Sequence, residues 1–415
     1  MPLRDPIFPA CPIRRTATIS CYFKENISMS PLRAPSALLS IGTANPPYYF
    51  EQSQVATFVA DSLDASPGLR RWLRQLYRLS AIETRYSCLP DAGTLHPDSP
   101  FAPGAPLQQA PTTAERMAIY EQASVDVATD AARQALGDRA AEVTHLIVVS
   151  CTGFFAPGPD LALARRLGLP ANVQRSVIGF MGCAAAFNAL RLADQIVAGQ
   201  PDALVLIVCV ELCTLHIQPG AGREDLTAAS LFADGAAACL VGVPQPGREM
   251  LLIDTFFTGV TPDTESDMAW RIGNHGFVMR LSPEVPRQVA KVVPPALREL
   301  LPDGSSPEFW AIHPGGPAIV DRVAETCNLS SSDVQASRSV LRNYGNMSSP
   351  TILFVLDEIH RQLRSAARPA AGVAMAFGPG LVAEMATLRY VPAAGEQPDA
   401  STTRQQRLPT DVYVA

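Results

Sequence analysis

The chain predicts an α/β fold. Short apolar runs alternate with longer amphipathic segments through most of its 415 residues, and Gly and Pro punctuate the junctions. Several of the runs are continuously apolar rather than alternating, as strands buried on both faces require. Strands are expected at 37–41, 145–150, 176–180, 203–210, 236–241, 251–257, 309–312, 373–377 and 384–390. Apolar residues at helical spacing put helices at 113–136, 183–198, 285–300 and 348–364.

Outside this alternation the composition changes. The first ~35 residues mix prolines, arginines and scattered apolar side chains without the continuous apolar stretch of a secretory signal. They read as a disordered extension, as sequence upstream of a start at Met29, or as an organelle transit peptide. The polar tail 393–415 reads as disordered too, and 91–110 is a loop punctuated by Pro97, Pro100, Pro103 and Pro106.

Composition narrows the function. A formal charge of −6 and no long basic run argue against nucleic acid or an anionic membrane as the main partner. No apolar run reaches the ~18 residues that span a bilayer, so stable membrane insertion is not expected. The nine cysteines form an odd set without C-x-x-C spacing, which favours reduced thiols in a cytoplasm. The six histidines lack H-x-x-x-H pairing, so no metal site is expected.

Three segments carry chemistry. In Val177-Ile178-Gly179-Phe180-Met181-Gly182-Cys183 a strand-like run delivers a cysteine, after a glycine turn, to a helix opening with Ala184-Ala185-Ala186. A thiol at a helix N-terminus meets unpaired N–H groups and the positive end of the macrodipole, which favour thiolate. Taken alone, Cys183 reads equally as a small core residue. His313 ends the short apolar strand 309–312, and Asn346 sits in the turn Tyr344-Gly345-Asn346-Met347-Ser348 that feeds a helix. Each of those has a bland reading, a structural His or a turn Asn. Together they make a Cys, His, Asn set that meets only in the fold, though papain-like proteases use the same residue types.

With these segments go Ile41-Gly42-Thr43-Ala44-Asn45-Pro46, Thr144-His145-Leu146, Pro157-Gly158-Pro159-Asp160, Leu231-Phe232-Ala233-Asp234-Gly235-Ala236-Ala237 and Phe377-Gly378-Pro379-Gly380. In order and spacing, from about residue 37 to 390, the chain resembles the type III polyketide synthases, the chalcone synthase-like branch of the thiolase superfamily. Residues 111–117 and 211–216 look more like the bacterial than the plant branch. The resemblance implies a thiolase-like five-layer αβαβα fold built from two similar halves, 35–247 carrying Cys183 and 248–392 carrying His313 and Asn346. It also implies a homodimer with its site at the junction of the halves.

The same resemblance implies roles. Cys183 would take an acyl group from a CoA thioester, with His313 pairing its thiolate, and His313 and Asn346 would stabilise the enolate left when malonyl-CoA loses CO2. Malonyl-CoA and an acyl-CoA starter are the implied partners, with no cofactor beyond these substrates. Phe232 matches the family's gatekeeper, and the second gatekeeper position falls at Met279, with Phe277 nearby. Trp270 stands where the plant enzyme has Gly, and Cys151, Thr152, Cys213, His216, Ile217 and Ser348 match pocket segments. Cys151 and Cys213 read either as the wall of a side tunnel for an alkyl chain or as small core residues. In the basic cluster Arg70, Arg71, Arg74 and Arg78, the pair Arg74 and Arg78 is the expected holder of CoA phosphates, and a solvated helix face is the alternative. The implied reaction is iterative extension to an alkylpyrone or alkylresorcinol. The alternatives are a malonyl-primed synthase of a small phenol or naphthol, a ketoacyl synthase of fatty acid synthesis, and a non-catalytic acyl-CoA-binding dimer.

Overall fold

A computed structural model describes residues 34–90, 96 and 98–394. The expected extension before residue 34, the tail beyond 394 and part of the loop 91–110 lie outside them. The described strands are β1 (Ser36–Ala44), β2 (Tyr48–Glu51), β3 (Thr84–Ser87), β4 (His145–Ser150), β5 (Gln174–Gly179), β6 (Val205–Leu212), β7 (Asp234–Gly242), β8 (Met250–Val260), β9 (Met268–Gly273), β10 (Gly276–Leu281), β11 (Phe309–Ile312), β12 (Ala370–Gly378) and β13 (Val382–Val391). The helices are α1 (Gln52–Ser62), α2 (Pro67–Leu79), α3 (Thr113–Leu136), α4 (Pro159–Arg166), α5 (Ala185–Gly199), α6 (Arg223–Leu231), α7 (Val285–Leu300), α8 (Pro317–Cys327), α9 (Gln335–Tyr344) and α10 (Thr351–Ala366).

Nine strands form one mixed sheet in the order β11-β12-β13-β8-β1-β7-β6-β4-β5. Its topology repeats. From β4 through β6 and β7 to β1 the pairings run parallel, antiparallel, antiparallel, and from β11 through β12 and β13 to β8 they do so again. The two copies meet where Ser36–Leu38 of β1 pair with Leu251–Ile253 of β8.

Strand alternation then sorts the side chains into three cores. One face of β4, β6 and β7 packs on α3 and α4 through residues such as Leu146, Val148, Leu206 and Ala131. One face of β11 to β13 packs on α7 and α8 through Trp310, Ile312, Met375 and Val289. Between them, α5 and α10 fill the space between both copies' inner faces, with Ala186, Phe187, Ile352 and Leu356 against Ile207, Cys239, Ala311 and Ala374. Helix, sheet, helix, sheet, helix is the five-layer arrangement.

Local chemistry sets the element ends. Thr112 and Glu115 form a capping box that starts α3, and Gly137 at φ 53° ends it. The helix expected from 348 begins three residues later because Ser348 has φ 59°, which a right-handed helix does not allow. The helix expected from Cys183 is a 3-10 turn over Gly182–Ala184 before α5 begins. Strands β2, β3, β9 and β10 and six of the ten helices were not expected. Among the described residues no helix is long and apolar enough to cross a membrane, and no group of His, Cys, Asp or Glu could hold a metal ion.

Candidate active site

Three element junctions converge on one cavity. At the end of β5, Phe180 at φ 57° and Gly182 at φ 66° turn the chain sharply inward. Only glycine fits at 182, since a Cβ there would run into the Pro379 ring. Gly378-Pro379-Gly380 therefore braces the turn that presents Cys183. The buried alanines 185, 186 and 189 of α5 let that helix approach the inner sheet faces closely.

At the end of β11, the His313 N–H donates to the Met375 carbonyl at 2.8 Å, extending the parallel ladder by one residue. Its ring is buried, and neither nitrogen has a hydrogen-bond partner. Asn346 is fixed by its backbone: its N–H donates to Leu231 O and its carbonyl accepts from Ala233 N–H, both at 2.9 Å, forming a parallel bridge with Phe232. Its side chain donates from Nδ2 to Gly315 O at 3.2 Å and accepts at Oδ1 from Ser348 N–H at 2.8 Å. Cys183 Sγ lies 4.0 Å from the same Oδ1.

Electrostatics bear on the expected thiolate. Burial pushes the Cys183 thiol up to about 11 and His313 down to about 3, so desolvation of this site opposes the thiolate that a helix end favours. Cys183 lies in a buried 3-10 turn ahead of the helix proper, where burial is the largest influence on the thiol. Both ring nitrogens of His313 are open in the cavity that Cys183 lines.

Cys183, His313 and Asn346 all line a mostly apolar cavity of about 460 Å³. Phe232 and Met279 line it too, and they also line a second cavity of about 30 Å³ with Cys213, His216, Ile217 and Trp270. The two expected gatekeepers thus stand between the cavities. Cys151, Thr152, Phe277 and Ser348 line neither, but all four support the walls. Cys151 Sγ accepts the Gly182 N–H at 3.1 Å, and its carbonyl accepts Trp270 Nε1–H at 2.7 Å. Trp270 therefore covers the Cys151 carbonyl, while Cys213 lines the small cavity. Phe277 stacks on His216 at 4.3 Å between ring centroids. His216 Nδ1 accepts the Phe277 N–H at 2.9 Å, so Nε2 carries the proton donated to Thr152 O at 2.7 Å. Burial lowers His216 to about 4, and it is a neutral wall residue.

Two charged groups escaped the sequence reading. Glu211, fully buried at the end of β6, accepts from Ser349 Oγ at 2.6 Å, Thr152 Oγ1 at 2.8 Å and Cys151 N–H at 2.9 Å. Burial raises it to about 7 despite those donors. An acid closing an apolar strand was the available signal. Arg223 opens α6 and lines the large cavity, with its guanidinium 5.6 Å from the centroid of the Trp72 ring of α2. Arg74 and Arg78 are exposed on α2 and line neither cavity, and Arg78 donates to Gln75.

Residues 24–245 match "Chalcone and stilbene synthases, N-terminal domain", and residues 254–392 match the C-terminal domain of the same family. The "Alpha-pyrone synthesis polyketide synthase-like Pks18" of Mycobacterium tuberculosis is 33% identical over 368 residues, covering 86% of this chain and 91% of its own. "Type III polyketide synthase 21" of Oryza sativa subsp. japonica is 32% identical over 374 residues, covering 86% and 95%. The crystal structure of PKS-I from the brown alga Ectocarpus siliculosus superposes with a TM-score of 0.77 at 29% identity, covering 88% of this chain and all of that one. With its thiolase-like layers and its two matched domains, the chain belongs to the chalcone and stilbene synthase family, the acyltransferases known as type III polyketide synthases.

Proposed function

We propose that the protein extends an acyl-CoA starter with malonyl-CoA units on Cys183 and releases a cyclised polyketide. The observation that carries this reading is the convergence of Cys183, His313 and Asn346, from three separate junctions, on one apolar cavity with a gate behind it. Cys183 passes its proton to His313 as its sulfur attacks the starter carbonyl, and CoA thiol leaves with a proton. Malonyl-CoA then loses CO2, and the enolate oxygen receives hydrogen bonds from protonated Nε2 of His313 and Nδ2 of Asn346. The enolate carbon attacks the Cys183 thioester, expelling the thiolate and leaving a β-ketoacyl-CoA two carbons longer. Each turn consumes only CoA thioesters, so no redox cofactor enters.

The favoured product class is an alkylpyrone or alkylresorcinol, in keeping with the name of the mycobacterial relative and with Cys213 on the wall behind the gate. A malonyl-primed synthase of a small phenol or naphthol is the second reading, and it is favoured by the mere 30 Å³ beyond the gate. The protein acts as a homodimer in the cytoplasm. Edge strand β5 supports the dimer, since Val177 and the neighbouring Phe154 and Met181 expose between 42% and 48% of their surface beside the Cys183 turn. The free thiols of the seven described cysteines suit a reducing compartment. Incubating the protein with malonyl-CoA and acyl-CoAs of graded length, with products identified by mass, tests the reading. Long-starter products support the first product class, malonyl-only products the second, and no condensation at all would defeat both.

A further inference from the structure

Hairpin β9–β10 forms a two-stranded sheet of its own, yet it supplies Trp270 and Met279 to the small cavity. Its register sets Met279 opposite Trp270, and Phe277, earlier on β10, shares their face. Among the described residues no third strand pairs with the hairpin, so the outer edge of β10 must find its hydrogen bonds elsewhere. The segment after β6 provides them. The Phe277 N–H donates to His216 Nδ1 at 2.9 Å, and the Phe277 carbonyl accepts from Gln218 Nε2 at 3.1 Å.

Gln218 reaches further than this one bond. Its Nε2 also donates to the His216 carbonyl at 2.9 Å and to the His275 carbonyl at 3.3 Å. A single amide thus meets three carbonyls, two from the hairpin and one from the turn Cys213–His216. The turn is the fixed side of this joint, because buried Arg116 of α3 donates from behind to the carbonyls of Leu215 and Ile217. Gly276 lets the hairpin approach it, since a Cβ there would lie 3.0 Å from Arg116 Cδ and 3.1 Å from His216 Nδ1. The tip of the hairpin has a separate anchor. Thr113 Oγ1 accepts the Gly276 N–H at 2.9 Å and donates to the Gly273 carbonyl.

The small cavity lies across this joint. Cys213, His216 and Ile217 line it from one side, Trp270 and Met279 from the hairpin, and Gln218 from the joint itself. At about 30 Å³, it gains a large fraction of its volume from any small outward movement of β10. We propose that Gln218 is a positioning residue: by tying β10 to the turn it holds Met279 and Trp270 in place and so sets the largest acyl chain that the protein extends. The substrate in this proposal rests on the synthase reading, whereas the tie is a property of the fold.

Incubating the full-length protein with malonyl-CoA, hexanoyl-CoA and dodecanoyl-CoA together tests it. The readout is the share of product primed by dodecanoyl-CoA. Gln218→Met keeps the reach of the side chain but removes its N–H donors, so that share should rise about fivefold. A general loss of fold would lower every product together and leave the share alone. Gln218→Lys restores N–H donors at similar reach and should return the share to the parental value. Thr113→Val loosens the tip but leaves the bonds of Phe277, and its share should stay parental. Hydrogen exchange over 276–281, followed in parallel, should quicken in Gln218→Met and recover in Gln218→Lys. The proposal is overturned if Gln218→Met keeps the parental share, if Gln218→Lys behaves as Gln218→Met, or if Thr113→Val shifts the share as far. A parent that condenses nothing refutes the synthase reading and the chain-length role with it. Exchange then decides the tie alone, and an unchanged rate in Gln218→Met overturns that too.

Discussion

Glu211 offers the sharpest test of the buried electrostatics around Cys183. Its carboxylate is held at about 7 against an ordinary value of 4.5, chiefly by burial. From pH 4.5 to about 7 the folded protein thus keeps a proton that the unfolded chain has released. The stabilisation is complete below the unfolded value and is lost as pH rises through the folded one. The gap corresponds to about 3 kcal/mol. Glu211→Gln removes the titration with little change of shape, since Gln Oε1 can accept from Cys151 N–H and Thr152 Oγ1 while its amide donates to Ser349 Oγ. The variant should therefore gain on the parent by about 3 kcal/mol between pH ~4.5 and ~8. His313 and His216, lowered to about 3 and about 4, pull the other way, because each loses stability as pH falls below its ordinary 6.5. Both occur in both proteins and cancel in the difference. Urea unfolding of the pair at fixed protein concentration, repeated across that pH window, measures it. Parallel curves, with a parent-to-variant difference independent of pH, would refute the reasoning.

Cys183→Ala should abolish polyketide formation with fold intact, and acyl-CoA treatment of the parent should give one adduct, on Cys183 by peptide mass; labelling at another cysteine sinks the assignment. His313→Ala and Asn346→Ala should each slow malonyl-CoA decarboxylation by about 10²- to 10³-fold, and a parental rate in Asn346→Ala would remove it from the enolate site. Cys213→Phe adds a ring to the wall of a cavity of only about 30 Å³, which cannot absorb it. Use of long acyl-CoA starters should fall steeply while malonyl-CoA alone is still processed, and a folded variant that keeps its preference for long starters would take the alkyl chain away from this wall.

Legibility in the sequence followed the range of the interactions. Helix α3 was expected with its observed bounds because its start is a capping box and its end a glycine, both local devices. Cys183, His313 and Asn346 were recognisable because each closes a strand or turn with its own short signature. The burial that pushes the Cys183 thiol up was not, since it arises from packing around a helix that starts two residues later. Trp270 could be placed in the pocket, but its hydrogen bond to the Cys151 carbonyl joins residues 119 apart. Arg223 was invisible for the same reason: an arginine after a glycine signals only a helix start until the hairpin is folded opposite it.

The proposed gate and the proposed enolate site share a single piece of backbone. Phe232 and Asn346 form a parallel bridge, and the flanking N–H and carbonyl groups are exchanged between Leu231, Ala233 and Asn346. Arg85 clamps the far side, donating from Nη1 to the carbonyls of Ala229 at 2.6 Å and Phe232 at 2.7 Å. That guanidinium is buried, and among the described residues no carboxylate forms an ion pair with it. Holding an unpaired cation inside a protein is unfavourable unless its donors meet good acceptors. Here the acceptors are the main chain of the gate itself. Phe232 therefore cannot shift its backbone to admit a longer chain without straining both Arg85 and the bridge that orients Asn346. Any widening between the two cavities would fall to side-chain rotation of Phe232 and to Met279, which has three rotatable bonds and no such tether. A gate built this way would let a growing chain pass while the groups proposed to handle the enolate stayed in place.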